Sequence, residues 1–233
     1  MSTIDSEHTR LAFQELLPSL RERSFLLQVQ EATGFSVESK EVQARIASAK
    51  AAIEARGVTL DVKPGLTDRW FAAPKPGDRE DVCAWSASRN CLATVLEDAL
   101  KSLSDGSGHR IVASLTHTHG MAAAVCVLCG VGEGPRGIGV DCERIGRPVS
   151  AALSERIRHP AEALSLKPIA IWAVKEACYK ADPSPSDRLS EYRIEHPIHE
   201  GSALGLQVVG PGCRFEAGIV PAGGYLLAVA AAL

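Results

Sequence analysis

The sequence predicts an α+β fold, because its helix-like and strand-like segments do not alternate regularly along the chain. Helical patterns fill most of residues 9–100, whereas strand-length apolar runs stand out in the remainder. The 233 residues are enough for one large domain or two small ones with a real core.

The N-terminal elements are predicted as follows. Residues 9–30 have helical character with a break near Pro18. A clearer helix ends at Gly57, and its apolar face consists of Val42, Ile46, Ala49 and Ile53. After it, residues 58–62 alternate as a strand does, and residues 63–78 form a loop rich in Pro and Gly. Another helix then runs to about residue 100, with Asp78 as its N-cap.

The second half is richer in strands. The apolar run at 121–130, the loop GVGEGPRG and the stretch GIGVDCERI (137–145) predict an antiparallel hairpin. Residues 150–168 form short helices and loops, followed by a helix over IWAVKEACYKA (171–181). The last quarter alternates enough to suggest strands that end with YLLAVAAAL.

Composition narrows the class of protein. With 45% hydrophobic and 23% charged residues, the chain is an ordinary globular sequence, and a net charge of −3 gives no basic surface for nucleic acid or membrane. No apolar run is long enough to span a bilayer, and the polar N-terminus has no signal-peptide core. Seven scattered cysteines fit reduced thiols, so we expect a cytoplasmic protein. Cys126 and Cys129 should point to opposite faces of their strand, as buried apolar residues.

Two acidic residues end the GIGVDCERI strand. Asp141 and Glu143 project from the same face of a strand, where their charges repel unless a cation lies between them. A hard, oxygen-liganded ion such as magnesium suits them. The alternative is an ordinary acid pair at an exposed strand end.

The helix at 171–181 carries charges on an otherwise small, apolar segment. One side holds small residues, and the other holds Trp172, Lys175, Glu176, Tyr179 and Lys180. A Glu176–Lys180 ion pair is one explanation of the charges, but it leaves the neighbouring aromatics unexplained. A polar cleft walled by aromatic rings accounts for both.

His117 and His119 lie two residues apart in SLTHTHG, on one face if the segment is extended. Such a pair can bind zinc, donate to a phosphate oxygen, or serve as structural histidines. A metal hydrolase that uses His117, His119 and Asp141 is therefore one alternative, although no HExxH-type pattern supplies further ligands.

Together, SLTHTHGMAAAV, GIGVDCE and WAVKEACYK, in that order, resemble the motifs of the surfactin-type 4′-phosphopantetheinyl transferases. SASRNCLATVL resembles the helix of that family whose arginine contacts coenzyme A, here Arg89. The resemblance covers about residues 80–181. Thr116 and Thr118 stand where serines are usual, and Ala173 replaces a hydroxyl residue.

The resemblance implies transfer of the phosphopantetheine arm of coenzyme A to a serine of an acyl or peptidyl carrier protein, with release of 3′,5′-ADP. It implies that Asp141, Glu143 and Glu176 hold Mg²⁺ and that Glu176 can accept the serine proton. It also implies that His117 and Lys180 contact phosphate, and that Lys175 makes a supporting contact to a phosphate or a carboxylate. Arg89, together with Lys75, would meet the 3′-phosphate.

The resemblance also implies a pseudo-dimer of two similar α+β halves, over residues 1–112 and 113–233, with the active site between them. Such a fused chain is expected to be a monomer. Residues 1–70 look more helical than the N-terminal strands of the family, and the span from Glu143 to Glu176 is short, which bears on carrier choice. These departures leave a second hypothesis, a non-catalytic module that binds coenzyme A or a carrier protein.

Overall fold

Two β-sheets lie face to face between outer helices, as seen in a computed structural model that describes residues 5–21, 23–33, 35, 39–61, 79–103, 108–162, 166–200 and 203–233. The predicted α+β class is confirmed. Within the described ranges, no helix is long and apolar enough to cross a membrane. Lys75, Asp78 and the loop at 63–78 lie outside them.

The first sheet has the strand order β1-β4-β3-β2, and only the β2–β3 pair is parallel. Helices α2 and α3 cover its outer face. The elements are α1 (Ser6–Leu16), a 3-10 turn (Pro18–Leu20), β1 (Ser24–Glu31), α2 (Ser39–Ala55), β2 (Thr59–Asp61), α3 (Arg79–Ser102), β3 (His109–Thr118) and β4 (Met121–Gly130).

The second sheet is antiparallel, with the order β5-β9-β8-β7-β6. Helix α5 packs on its outer face. The elements are β5 (Gly137–Arg144), α4 (Ala151–Ile157), α5 (Pro168–Ala181), a 3-10 turn (Leu189–Glu191), β6 (Arg193–Glu200), β7 (Ala203–Val209), β8 (Arg214–Ala222) and β9 (Tyr225–Ala232).

The core forms three apolar layers. One lies between the first sheet and α2 and α3, and one lies between the second sheet and α5. The middle layer joins the two sheets and includes the apolar face of α1, with Phe13 and Leu16. Each sheet is thus covered by helix on its outer face and packs against the other sheet with its inner face. Helices α3 and α5 therefore lie on opposite sides of the boundary between the two sheets, here called the seam.

Residues 9–30 were predicted to have helical character, and this is wrong for residues 24–30. They form β1, which pairs with β4 along its whole length. Phe25, Leu27 and Val29 are buried while their neighbours are partly exposed, so the segment has the period of two that a strand requires. The helical segment at the N-terminus is therefore confined to α1 and α2, with β1 between them.

The predicted hairpin between 121–130 and 137–145 is also wrong. β4 pairs with β3 through a tight turn at Gly120, whose φ is +88°, whereas β5 pairs with β9 in the other sheet. The chain thus changes sheets between residues 130 and 137. Apolar strand runs do not specify their partners, which explains the error.

Other local predictions are confirmed. Gly57 follows α2 with φ +67°, a left-handed conformation that suits glycine. Cys126 packs toward the helices and Cys129 toward the second sheet, because residues three apart on a strand face opposite ways.

Candidate functional site

Side chains from three separated motifs meet where the ends of β3, β5 and α5 converge. Lys180 Nζ lies 2.7 Å from Asp141 Oδ1 and donates to Thr116 Oγ1 at 3.2 Å. The Thr116 hydroxyl donates to the same Asp141 oxygen at 3.1 Å. Thr116 belongs to the first sheet and the other two to the second half of the chain, so this polar cluster crosses the seam between the sheets.

Two glycines bring α5 onto β5. A Cβ added at Gly137 would overlap the carbonyl oxygen of Ala181, and one added at Gly139 would overlap that of Ala177. The helix backbone therefore rests directly on the strand. Since alternate residues share a strand face, Asp141 and Glu143 continue the glycine face beyond this contact. The predicted small-residue stripe of α5 is buried as expected.

Lys180 is held as a cation. Burial lowers its pKa, but the neighbouring charge of Asp141, its hydrogen bond and the charge of Glu176 outweigh burial, so that the pKa of Lys180 is raised. The ammonium also donates to the Val140 carbonyl at 3.0 Å. Glu176, half-buried and one helical turn before Lys180, thus lies within electrostatic reach of the cluster.

The two strand carboxylates have different environments. Asp141 is 6% exposed, and its Oδ2 is buried without a hydrogen-bond partner among the described residues. Glu143 is equally buried, and Arg147 Nη1 contacts both of its oxygens at 2.6 and 2.7 Å. Burial raises the pKa of Glu143, with a smaller contribution from Asp141, while Arg147 opposes the shift.

His117 and Arg89 meet on the α3 side of the seam. Ser88 Oγ lies 3.5 Å from His117 Nδ1 and accepts a hydrogen bond from Arg89 Nη1 at 3.0 Å. Arg89 is 5% exposed and its guanidinium lies 4.6 Å from the centre of the Trp85 ring. Burial lowers the pKa of Arg89 to about 10, which leaves it charged at pH 7.

The same surroundings disfavour a charged His117. Burial of part of the ring and the positive charges of Arg89 and Lys180 lower the pKa of His117 to about 4. The residue as a whole is exposed, so solvent moderates the shift, but the imidazole is neutral at pH 7 in either case. Its nearness to Lys180 and Arg89 indicates a site able to attract an anion.

Lys175 lies apart from the cluster. Its side chain is fully buried, 2.7 Å from Glu162 Oε1, and donates to the Ile157 carbonyl. Burial lowers the pKa of Lys175 despite this pair. Of the two contacts predicted for Lys175, to phosphate or to carboxylate, the structure thus shows the carboxylate one, and this fully buried ammonium does not reach a solute. Lys175 instead anchors α5 to the segment after α4.

Of the aromatic residues predicted beside the charges of α5, Trp172 lies in a different cleft from Lys180. Trp172 lines a cleft of about 440 Å³ with Arg156 and Arg188, away from Lys180. Lys180 lines a smaller cavity of about 140 Å³ that also touches Asp61 and Arg136.

A larger cleft of about 670 Å³ opens beside Glu143, where the β3–β4 turn approaches the loop after β5. Its residues include Thr118, His119, Arg144 and Arg147. Sequence reasoning missed both arginines, although RIGR directly after the acidic pair is a signal that could have indicated them. His117 therefore lies beside Ser88 of α3, whereas His119 lines this cleft.

Among the described residues, no three His, Cys, Asp or Glu side chains form a group that could hold a metal ion on their own. This holds for the predicted set of Asp141, Glu143 and Glu176 as well as for the alternative set of His117, His119 and Asp141. Comparisons of the chain with protein-family models and with curated proteins found no match.

Proposed function

We propose that this protein transfers the 4′-phosphopantetheine arm of coenzyme A to a serine of an acyl or peptidyl carrier protein, with magnesium, and releases 3′,5′-ADP. The observation that carries the proposal is the Thr116–Asp141–Lys180 cluster. Residues far apart in the chain, each from one of three motifs that resemble this family, meet at one seam. The proposed fold, a pseudo-dimer, is supported by the shared plan of the two halves, a sheet with an outer helix.

Anion binding is the first requirement of this reaction. Coenzyme A carries a diphosphate and a 3′-phosphate, and cationic side chains must offset that charge. Lys180 and His117 are suited to the diphosphate, since they lie close enough for the charge of one to shift the pKa of the other. Arg89, held against Trp85 and Ser88, is suited to the 3′-phosphate.

In the proposed transfer, the serine oxygen forms a bond to the phosphorus on the pantetheine side of the diphosphate. The bond from that phosphorus to the bridging oxygen breaks, and 3′,5′-ADP leaves with the electron pair. Glu176 accepts the serine proton, directly or through water. Lys180 stabilises the charge that develops on the phosphate oxygens.

The carboxylates fit a magnesium ion in part. Asp141 Oδ2 is a buried oxygen without a donor, which a cation would satisfy. Mg²⁺ in proteins keeps several waters and uses one or two carboxylates together with substrate phosphates, so the diphosphate of coenzyme A would complete the site. Asp141 and Glu143 would hold it, with Glu176 nearby. A bound magnesium ion would neutralise the diphosphate and the leaving 3′,5′-ADP.

The second candidate is a non-catalytic module that binds coenzyme A or a carrier protein. It is favoured by the two ion pairs, since Lys180 and Arg147 neutralise Asp141 and Glu143. Such a module would bind its ligands but would not turn them over.

Intact-mass spectrometry of a panel of apo carrier proteins, incubated with coenzyme A and Mg²⁺, separates the two candidates. We expect a mass gain of one phosphopantetheine on at least one carrier, lost when EDTA is added. No gain on fatty-acid, polyketide, nonribosomal-peptide or siderophore carriers would contradict the transferase. Binding of coenzyme A in the same samples would then support the module.

A further inference from the structure

Arg147, a partly exposed residue, forms an ion pair with the buried Glu143. One guanidinium nitrogen contacts both carboxylate oxygens at 2.6 and 2.7 Å. The Glu143 side chain is 7% exposed, whereas that of Arg147 is 47% exposed. The pair thus joins a carboxylate fixed on a buried strand to a cation with free solvent on one side.

The backbone around Arg147 forms a tight loop directly after β5. Its amide donates to the Arg144 carbonyl at 3.0 Å, and its neighbours are Gly146 and Pro148. Arg147 also lines the 670 Å³ cleft together with Arg144 and His119. The same side chain therefore borders the acidic pair on one side and a basic cleft on the other.

We propose that Arg147 is an exchangeable counter-ion: it leaves Glu143 when a divalent cation binds there, and then binds a phosphate oxygen of the anionic co-substrate in the cleft. The proposal rests on the proposed function, because that function supplies both the cation and the anion. A guanidinium and a divalent ion on one carboxylate repel each other. A guanidinium that swings into the cleft relieves this repulsion and has the geometry that phosphate oxygens favour.

If Arg147 exchanges between these two positions, its removal should have opposite effects on metal binding and on coenzyme A binding. It competes with the metal for Glu143, so its removal should strengthen metal binding. It contributes to the anion site, so its removal should weaken coenzyme A binding. A merely structural arginine would weaken both, because loss of the loop would disturb both sites.

The metal arm uses Mn²⁺ alone as the probe, titrated by electron paramagnetic resonance into protein without coenzyme A. We expect Arg147→Ala to lower the Mn²⁺ dissociation constant about three- to tenfold, the range of a partly exposed ion pair. Arg144→Ala is the matched control, since it removes the same charge from the same cleft but leaves the Arg147–Glu143 pair in place. It should change the Mn²⁺ dissociation constant less than twofold, on the scale of a distant exposed charge.

The second arm measures coenzyme A binding by calorimetry at saturating Mg²⁺. Arg147→Ala should weaken it about tenfold, as expected for one charge-assisted hydrogen bond, and Arg147→Lys should recover part of the loss. Thermal melts of each variant confirm folding.

Equal or weaker Mn²⁺ binding by Arg147→Ala, or no Mn²⁺ binding by the wild type, would overturn the exchange. The carrier panel decides the proposed function separately. Tighter Mn²⁺ binding by Arg147→Ala with no carrier modified would support the exchange and contradict the transferase.

Discussion

Lys180 Nζ lies 2.7 Å from Asp141 Oδ1 and thereby ties the last turn of α5 to the end of β5. The two side chains are 19% and 9% exposed. Loss of either partner would leave the other charge in a poorly solvated place. The pair therefore has two consequences, one for stability and one for chemistry, which single and double substitutions can separate.

Asp141→Ala and Lys180→Ala should each abolish phosphopantetheine transfer, and each should lower the free energy of unfolding by about 1–3 kcal/mol. The double variant should recover part of the stability, because neither charge then lacks a partner, but no transfer. Urea unfolding and the carrier mass assay measure the two effects. Transfer by the double variant at a wild-type rate would show that this cluster is not the site.

Lys175 offers a contrast on the same helix. Lys175→Met leaves Glu162 buried without its cation and should lower the free energy of unfolding by about 3 kcal/mol. The double variant Lys175→Met/Glu162→Gln should recover part of this loss, since no buried charge remains. It should not recover all of it, because the two Glu162 oxygens accept backbone hydrogen bonds from His159 and Ile194 and an amide keeps only one acceptor oxygen. The KM for coenzyme A should be unchanged in the double variant. A large rise in KM there would restore Lys175 to the coenzyme A site.

Gly139→Ala tests the contact between β5 and α5. Its Cβ would overlap the Ala177 carbonyl, and backbone cannot give way as a flexible side chain can, so we expect a loss of about 3 kcal/mol of stability. Gly212→Ala is the control, because no atom lies within 4 Å of a Cβ added there. Thermal denaturation of both variants measures the difference. Similar melting temperatures would mean that the helix shifts easily on the strand.

His117 should make stability depend on pH. Its folded pKa of about 4 is below the value of 6.5 expected for an unfolded histidine. The unfolded chain therefore binds more protons between these values, and the free energy of unfolding falls as pH drops from 6.5 toward 4. His117→Gln should reduce this fall in the free energy of unfolding by about 1 kcal/mol, a value that allows for the partial exposure of the ring to solvent. Urea titrations at pH 5 and pH 7.5 test it, and an unchanged difference would assign the pH dependence to other groups.

How much of the site could be predicted from sequence differs by residue. The shared faces of Asp141 with Glu143 and of Glu176 with Lys180 followed from strand and helix periods, whereas the meeting of Asp141 with Lys180 was implied only by the resemblance of their motifs to one family. For Lys175 a carboxylate contact could be predicted but not its partner, because Glu162 lies in a loop that no periodicity places. Arg147 was missed for the same reason, since its role depends on a turn that brings it back to Glu143.

The fold shows a similar division. The limits of β4 and the end of α5 could be predicted from apolar runs and the loop residues that follow them, but the partners of the strands could not. β1 was mistaken for helix because its apolar residues include the adjacent pair Leu26 and Leu27, which obscures the alternation seen in its burial. Pairing between distant strands is decided by packing that a local window does not contain.

The glycine contact also has a mechanical consequence. Because α5 is seated on β5 without intervening side chains, Glu176, Lys180 and Asp141 belong to one stiff unit, while His117 and Arg89 belong to the first sheet and α3. A ligand that contacts residues of both units would connect them across the seam and stabilise the packing of the two sheets. Its binding energy would then appear as slower amide exchange along β3 and β5 and as a higher melting temperature.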